Sequence, residues 1–253
     1  MMVNPLDLSG RLMLVTGASS GIGRATSVLL SSLGARLILA GRNVERLNGT
    51  FQTLCGESHG IEPFDLEDVP NIPGWIRELA EKHGRLSGIV HSAGIYVTQP
   101  LRYMDTEELD RVMRVNFAAA VQLAKGFRQK GCSVKPGSIV FVSSVMGLVA
   151  QPGISAYCSS KGAVNSLVRS LALELAPEGI RVNAVNPGLV QTELTERLEQ
   201  VLSTEQFSEL KSRHPLGIGQ PDDVANAIAF LLADTGRWIT GTTLTVDGGY
   251  TAQ

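Results

Sequence analysis

Six apolar runs without polar alternation constrain this chain more than any other feature. They are LMLVTG from Leu12, RLILAG from Arg36, LSGIVHSAG from Leu86, GSIVFVSS from Gly137, RVNAVNPG from Arg181 and TTLTVDGG from Thr242. A strand with one wet face alternates polar and apolar residues, whereas a strand covered on both faces does not. These runs therefore predict parallel strands packed between helices, and the shorter IEPFDL from Ile61 supplies a seventh. Segments at helical spacing lie between them: GRATSVLLSSLG from Gly23, TEELDRVMRVNFAAAVQLAKGF from Thr106 and SAYCSSKGAVNSLVRSLALELAPEG from Ser155. Asp105 with Glu108 reads as a capping box for the second. Gln220, Pro221, Asp222 and Asp223 open another, with proline at the first position and acids at the positive end. About seven strands alternating with six helices predict an α/β doubly wound, parallel seven-stranded sheet with helices on both faces, a Rossmann fold. No linker or repeat divides the chain, so residues 1–253 read as a single domain. The break in rhythm is 189–219, a polar, helix-prone insertion of the kind that forms a substrate-binding lid.

With 43% hydrophobic and 18% charged residues the chain can bury a substantial core, which excludes a disordered chain. The net charge of −2 and the scattered lysines and arginines argue against nucleic acid and anionic membranes as partners. Cys55, Cys132 and Cys158 lack CxxC spacing and His59, His83, His91 and His214 are dispersed, so neither a disulfide framework nor a metal site is signalled. No apolar run approaches the ~18–20 residues of a membrane span, and no basic-then-apolar leader is visible. A soluble cytoplasmic protein is expected.

The first strand ends in Thr16-Gly17-Ala18-Ser19-Ser20-Gly21-Ile22-Gly23 and runs straight into a helix. Glycines there let the backbone turn sharply and approach a pyrophosphate, whose charge the helix N-terminus stabilises. The G-x3-G-x-G spacing differs from the general G-x-G-x-x-G fingerprint. The second strand ends at Gly41-Arg42, where NAD-binding folds of this kind often carry an acid for the ribose 2′-OH. A guanidinium in its place suits a 2′-phosphate, so NADP(H) is favoured and NAD(H) is the alternative.

Chemistry is signalled by SSVMGLVAQPGISAYCSSK, which offers a hydroxyl at Ser144, a phenol at Tyr157 and an ammonium at Lys161. Tyr157 and Lys161 are four apart and share a helix face, about 6 Å from one another. A cation beside a phenol favours phenolate, so Tyr157 is expected to titrate below its usual ~10 and to exchange protons near neutral pH.

Taken together, the glycine motif, the Ser–Tyr–Lys spacing and the length resemble the short-chain dehydrogenase/reductase family over nearly the whole chain. The terminal WITGTTLTVDGGY is similar to bacterial members of the 3-oxoacyl-acyl-carrier-protein reductase type. The resemblance implies that Tyr157 is the general acid or base, that Lys161 holds the nicotinamide ribose and lowers the Tyr157 pKa, and that Ser144 holds the substrate oxygen. Asn116 matches the asparagine that passes protons through water to the lysine. Ser143 competes with Ser144, but the family's serine lies thirteen residues before the tyrosine.

The resemblance also implies adenine contacts at Asp65 and Leu66 and close passage of the cofactor past Ala93 and Gly94. Pro187, Gly188, Val190 and Thr192 match the loop that meets the nicotinamide and diphosphate. The family's Asn-Asn-Ala-Gly is His91-Ser92-Ala93-Gly94 here, which removes the side chains that make its structural hydrogen bonds. The implied function is hydride exchange between NADP(H) and a carbonyl or secondary alcohol. Its substrate is either an acyl thioester or a small ketone, polyol or sugar-derived molecule. A non-catalytic dinucleotide-binding regulator is the reading from another class. Family members are typically homotetramers.

Overall fold

The computed structural model describes residues 4–252. Strands β1 (Leu12–Thr16), β2 (Arg36–Gly41), β3 (Gly60–Pro63), β4 (Leu86–His91), β5 (Ser133–Val142), β6 (Ile180–Pro187) and β7 (Thr243–Val246) form one sheet. Its order is β3-β2-β1-β4-β5-β6-β7, and every pairing is parallel. The helices are α1 (Gly21–Ser32), α2 (Val44–Phe51), α3 (Ile72–His83), α4 (Thr106–Met113), α5 (Ala119–Arg128), α6 (Ser155–Leu175), α7 (Glu193–Val201), α8 (Thr204–Ser212) and α9 (Pro221–Leu232).

The lack of alternation in the strands has a direct cause. Successive residues of β1 enter opposite cores: Leu12 and Leu14 pack in the layer of α3, α5 and α6, while Met13 and Val15 pack in the layer of α1 and α9. Ile180, Val182 and Ala184 of β6 join the first layer and Val185 the second. Because the strands are parallel, Thr16, Gly41, His91, Val142 and Pro187 end at the same edge of the sheet. The order reverses between β1 and β4, and the crevice beyond such a switch point is where ligands bind in open α/β sheets.

Two local expectations are corrected. The helix expected to run unbroken from Thr106 is interrupted by a π-helical turn at Arg114–Ala118, between α4 and α5. Such a turn holds one extra residue, and it carries Asn116. Strand β3 stops at Pro63, short of the expected Leu66. Beyond it the Phe64 ring stacks on Trp75 (centroids 4.3 Å apart), and the Asp65 carboxylate accepts from Glu67 N at 3.0 Å to begin a turn. At α4, Asp105 does accept from Glu108 N at 2.7 Å, while the Glu108 carboxylate pairs with Arg111 at 3.3 Å.

The last carbonyls of α9 take donors from neighbouring strands. Arg181 Nη1 reaches Leu231 O (2.7 Å), Arg181 Nη2 reaches Leu232 O (3.2 Å), and Arg11 Nη1 also donates to Leu232 O (3.0 Å). These cations satisfy helix-end acceptors and face the negative end of the dipole. Arg181→Met keeps the stem but strands the carbonyls. It should cost about 2 kcal/mol in urea denaturation, and an unchanged unfolding midpoint would contradict the capping role.

Candidate active site

A cleft of about 630 Å³ runs along the C-terminal edge of the sheet. At its centre lies the turn after β1. Gly17 has φ +70°, and a Cβ there would stand 2.6 Å from Ala93 N, so only glycine lets this turn meet the segment after β4. Gly23, one turn into α1, packs on the Gly17 carbonyl and lies behind the cleft wall. Ser19, Ser20, Gly21 and Ile22 line the cleft. Ser20 is the N-cap of α1 but makes no side-chain cap, and the first turn holds no acid. By contrast Asn43, Asp105 and Ser203 cap α2, α4 and α8 with their side chains. The first N–H groups of α1 are thus open to an anionic ligand at the cleft. Arg24 Nη2 donates to Ser19 O (2.7 Å) and Thr50 Oγ1 to Ala18 O (2.9 Å), bracing the turn from behind. The Thr192 methyl lies over Gly21, and Pro187, Gly188 and Val190 line the same side.

One end of the cleft is cationic. Arg42 Nη1 lies 3.6 Å from Glu67 Oε1, and Arg111 Nε lies 3.2 Å from the same oxygen. Arg46 lines this end too, beside Asp65 and Leu66. Sequence reasoning found Arg42 but missed Arg46, Arg111 and Glu67. Arg46 lies in the first turn of α2, just past Arg42, which stands before the helix. Arg111 had no signal, because only the packing of α4 brings it here.

The other end gathers the reactive side chains. Ser143 and Ser144 follow β5 and are separated by their partners. Ser143 Oγ donates to the Lys161 backbone carbonyl (3.0 Å), tying α6 to the sheet. Ser144 Oγ accepts from Met146 N (3.1 Å) and lines the cleft beside Tyr157. Tyr157 and Lys161 stand on one face of α6, with Nζ 5.7 Å from the phenol centroid. The Tyr157 pKa runs opposite to expectation: desolvation pushes it up to about 12, against a lowering by the Ser144 hydroxyl. The Lys161 ammonium does not offset this, because Nζ is turned to the Val142 carbonyl at 2.8 Å. Burial in turn pushes Lys161 down to about 8.

Asn116 is buried behind this end. Its Oδ1 accepts from Ile95 N (2.9 Å), and its Nδ2 donates to Ile95 O (3.0 Å) and Ser160 Oγ (3.0 Å). Gly94 passes between: a Cβ would lie 3.2 Å from Asn116 Oδ1 and 3.5 Å from Lys161 Nζ. His91 supplies the bracing that the missing asparagines put in question, since its Nδ1 lies 2.8 Å from Thr16 Oγ1 and joins the ends of β1 and β4. Burial and the Lys161 charge push its pKa down to about 3, so the ring is neutral. Within 189–219, Leu194 and Leu198 of α7 line the cleft, whereas Phe207 of α8 is buried with Lys211 over its ring. Among the described residues no three or more metal-ligating side chains come together, and no helix is long and apolar enough to cross a membrane.

Comparison with known proteins gives full-length matches. The family described as Enoyl-(Acyl carrier protein) reductase matches residues 17–251. The 3-oxoacyl-(acyl-carrier-protein) reductase FabG of Rickettsia conorii is 35% identical over 96% of this chain and 98% of its own. Carbonyl reductase (NADPH) 2 of Sus scrofa is 38% identical over 98% of this chain and 99% of its own. A dehydrogenase/reductase from Sinorhizobium meliloti 1021 superposes with a TM-score of 0.89 at 33% identity, covering 98% of this chain and 97% of that one.

The two desolvated groups shape stability against pH in opposite senses. Between about 8 and 10.5 the unfolded chain keeps the Lys161 proton that the folded chain has lost, so stability rises with pH there. Between 10.0 and about 12 the folded chain keeps the Tyr157 proton that the unfolded chain has lost, so stability falls. Relative to wild type, Lys161→Met should lack the rise and Tyr157→Phe the fall in urea midpoints across this range. Parallel curves for all three proteins would refute both shifts.

Proposed function

This chain belongs to the short-chain dehydrogenase/reductase family, and from that footing we propose that it is an NADP(H)-dependent reductase of ketones with Tyr157 as its acid. The observation that carries the reading is the gathering of Ser144, Tyr157 and Lys161 at one end of a cleft whose opposite end is lined by Arg42, Arg46 and Arg111. The residues fit a phosphorylated dinucleotide: an uncapped helix N-terminus lies at the glycine turn and guanidiniums lie where β2 ends. A relative named for NADPH supports the same choice over NAD(H).

The dinucleotide, when bound, supplies or accepts the hydride. The chain's own residues do the rest. The α1 N–H groups hold the diphosphate, Arg42 pairs with the 2′-phosphate, and Asp65, Leu66, Ala93 and Gly94 form the walls of the adenosine half. Pro187, Gly188, Val190 and Thr192 close over the nicotinamide side, where Lys161 holds the ribose. Ser144 donates to the substrate oxygen, and Tyr157 delivers the proton to it. A phenol pushed up to about 12 is protonated at neutral pH and can serve as the acid. Asn116 fixes the Ile95 backbone and relays protons through water towards Lys161. Helices α7 and α8 form the lid.

For substrate class, a small carbonyl compound is favoured over an acyl chain on a carrier protein. A carrier needs a basic landing surface, and here Glu178 takes Arg128 and Lys135, the latter at 3.2 Å. An acyl thioester is the second reading, supported by the FabG relative. A cytoplasmic location is part of this reading, and three free cysteines support it. The chain is read as a homotetramer from the family resemblance.

Tyr157→Phe should abolish NADPH-dependent ketone reduction while NADPH affinity, followed by fluorescence, stays within a few-fold. Retained turnover would remove Tyr157 from its role. Arg42→Ala should weaken NADPH by at least about tenfold and NADH little, since one charge-assisted contact is worth ~1.5–3 kcal/mol. Equal weakening of the two would contradict a 2′-phosphate partner.

A further inference from the structure

A second phenol lines the cleft beside Tyr157, and none of the sequence motifs points to it. The Tyr96 ring meets the Tyr157 ring edge to face, with centroids 5.0 Å apart and planes at 68°. This contact closes a circuit. Asn116 grips both the N–H and the carbonyl of Ile95, the residue before Tyr96. The same amide donates to Ser160 Oγ, which donates to the Tyr157 backbone carbonyl at 2.8 Å. One buried side chain therefore fixes the backbones that carry both rings, and the rings pack against each other across the cleft wall. Edge-to-face is the preferred arrangement of such a pair, so each ring limits the other's rotation.

We infer that Tyr96 is a positioning and specificity-determining residue, whose ring holds the Tyr157 ring in place and narrows the site beside the reacting carbonyl. Ketones with small substituents enter ahead of those carrying an aryl group. The inference rests on the reading of Tyr157 as the proton donor. The ring, rather than the Tyr96 hydroxyl, does this work, because the contact is between faces and edges. Phenylalanine should therefore replace Tyr96 and alanine should not.

The test compares wild type with Tyr96→Phe, Tyr96→Ala and Tyr96→Leu, the last keeping apolar bulk if alanine prevents folding. The measurements are NADPH affinity by fluorescence, then kcat and KM for diacetyl, a small ketone, and for tetralone, an aryl ketone. NADPH affinity should stay within about twofold throughout, and Tyr96→Phe should keep the wild-type preference. Tyr96→Ala and Tyr96→Leu should shift the ratio of kcat/KM for tetralone over diacetyl upward by about tenfold or more, the scale of a changed pocket contact. The inference is overturned if both substrates change by one factor, or if Tyr96→Phe shifts the ratio as far as Tyr96→Ala. A wild-type protein that binds NADPH and reduces neither ketone overturns the small-ketone reading, and the Tyr96 role with it.

Discussion

The site is built around a buried ammonium. Lys161 is 5% exposed, its Nζ donates to the Val142 carbonyl, and burial alone accounts for its lowered pKa. A desolvated charge held by a single carbonyl is expensive, and its neighbours are arranged around it. Ser143 pins the Lys161 backbone to the sheet. Gly94 leaves the space that a Cβ would take from Nζ. The same charge helps to keep His91 neutral, so that the β1–β4 brace is a hydrogen bond between uncharged groups. The glycine after β4 and the histidine ending β4 thus answer to one lysine.

Most of the fold was legible because two-sided burial leaves a plain mark. When alternate residues of a strand enter different cores, both must be apolar, and the run shows no period. The missed features are those where tertiary contacts override local pattern. Nothing in RVNFA announces a π-helical turn, since one extra residue does not disturb an apolar stripe over so short a stretch. IEPFDL has strand-like composition throughout, yet the strand ends at Pro63, beyond which the Phe64 ring is claimed by Trp75.

The site was legible as a set of positions but not as a set of environments. The spacing of Ser144, Tyr157 and Lys161 brings them to one end of a cleft, and glycines mark the turn that faces it. Spacing says nothing of desolvation. The expectation that Lys161 would pull the Tyr157 phenol down assumed two groups in water. In the folded chain the phenol is half-buried and desolvated, and the ammonium is turned to a carbonyl. Arg111 and Tyr96 were invisible for a related reason. Each reaches the cleft from a segment whose own sequence carries no motif, brought there by the packing of α4 and by the Asn116 grip on Ile95.

These environments have a common direction. The uncapped start of α1 and the desolvated Lys161 are each left short of negative charge or of acceptors. Each deficit costs the cofactor-free fold stability, and each would be met by a different part of one anionic dinucleotide, on the reading proposed above. A ligand that binds only the folded state adds stability as RT ln(1 + [L]/Kd), so such deficits are partly recovered when the site fills. Capping α1 with an acid would improve the empty protein and weaken the site in the same stroke. α3, α6 and α7 also start without a side-chain cap, so what suits α1 to an anion is the glycine turn that brings its open N–H groups to the cleft.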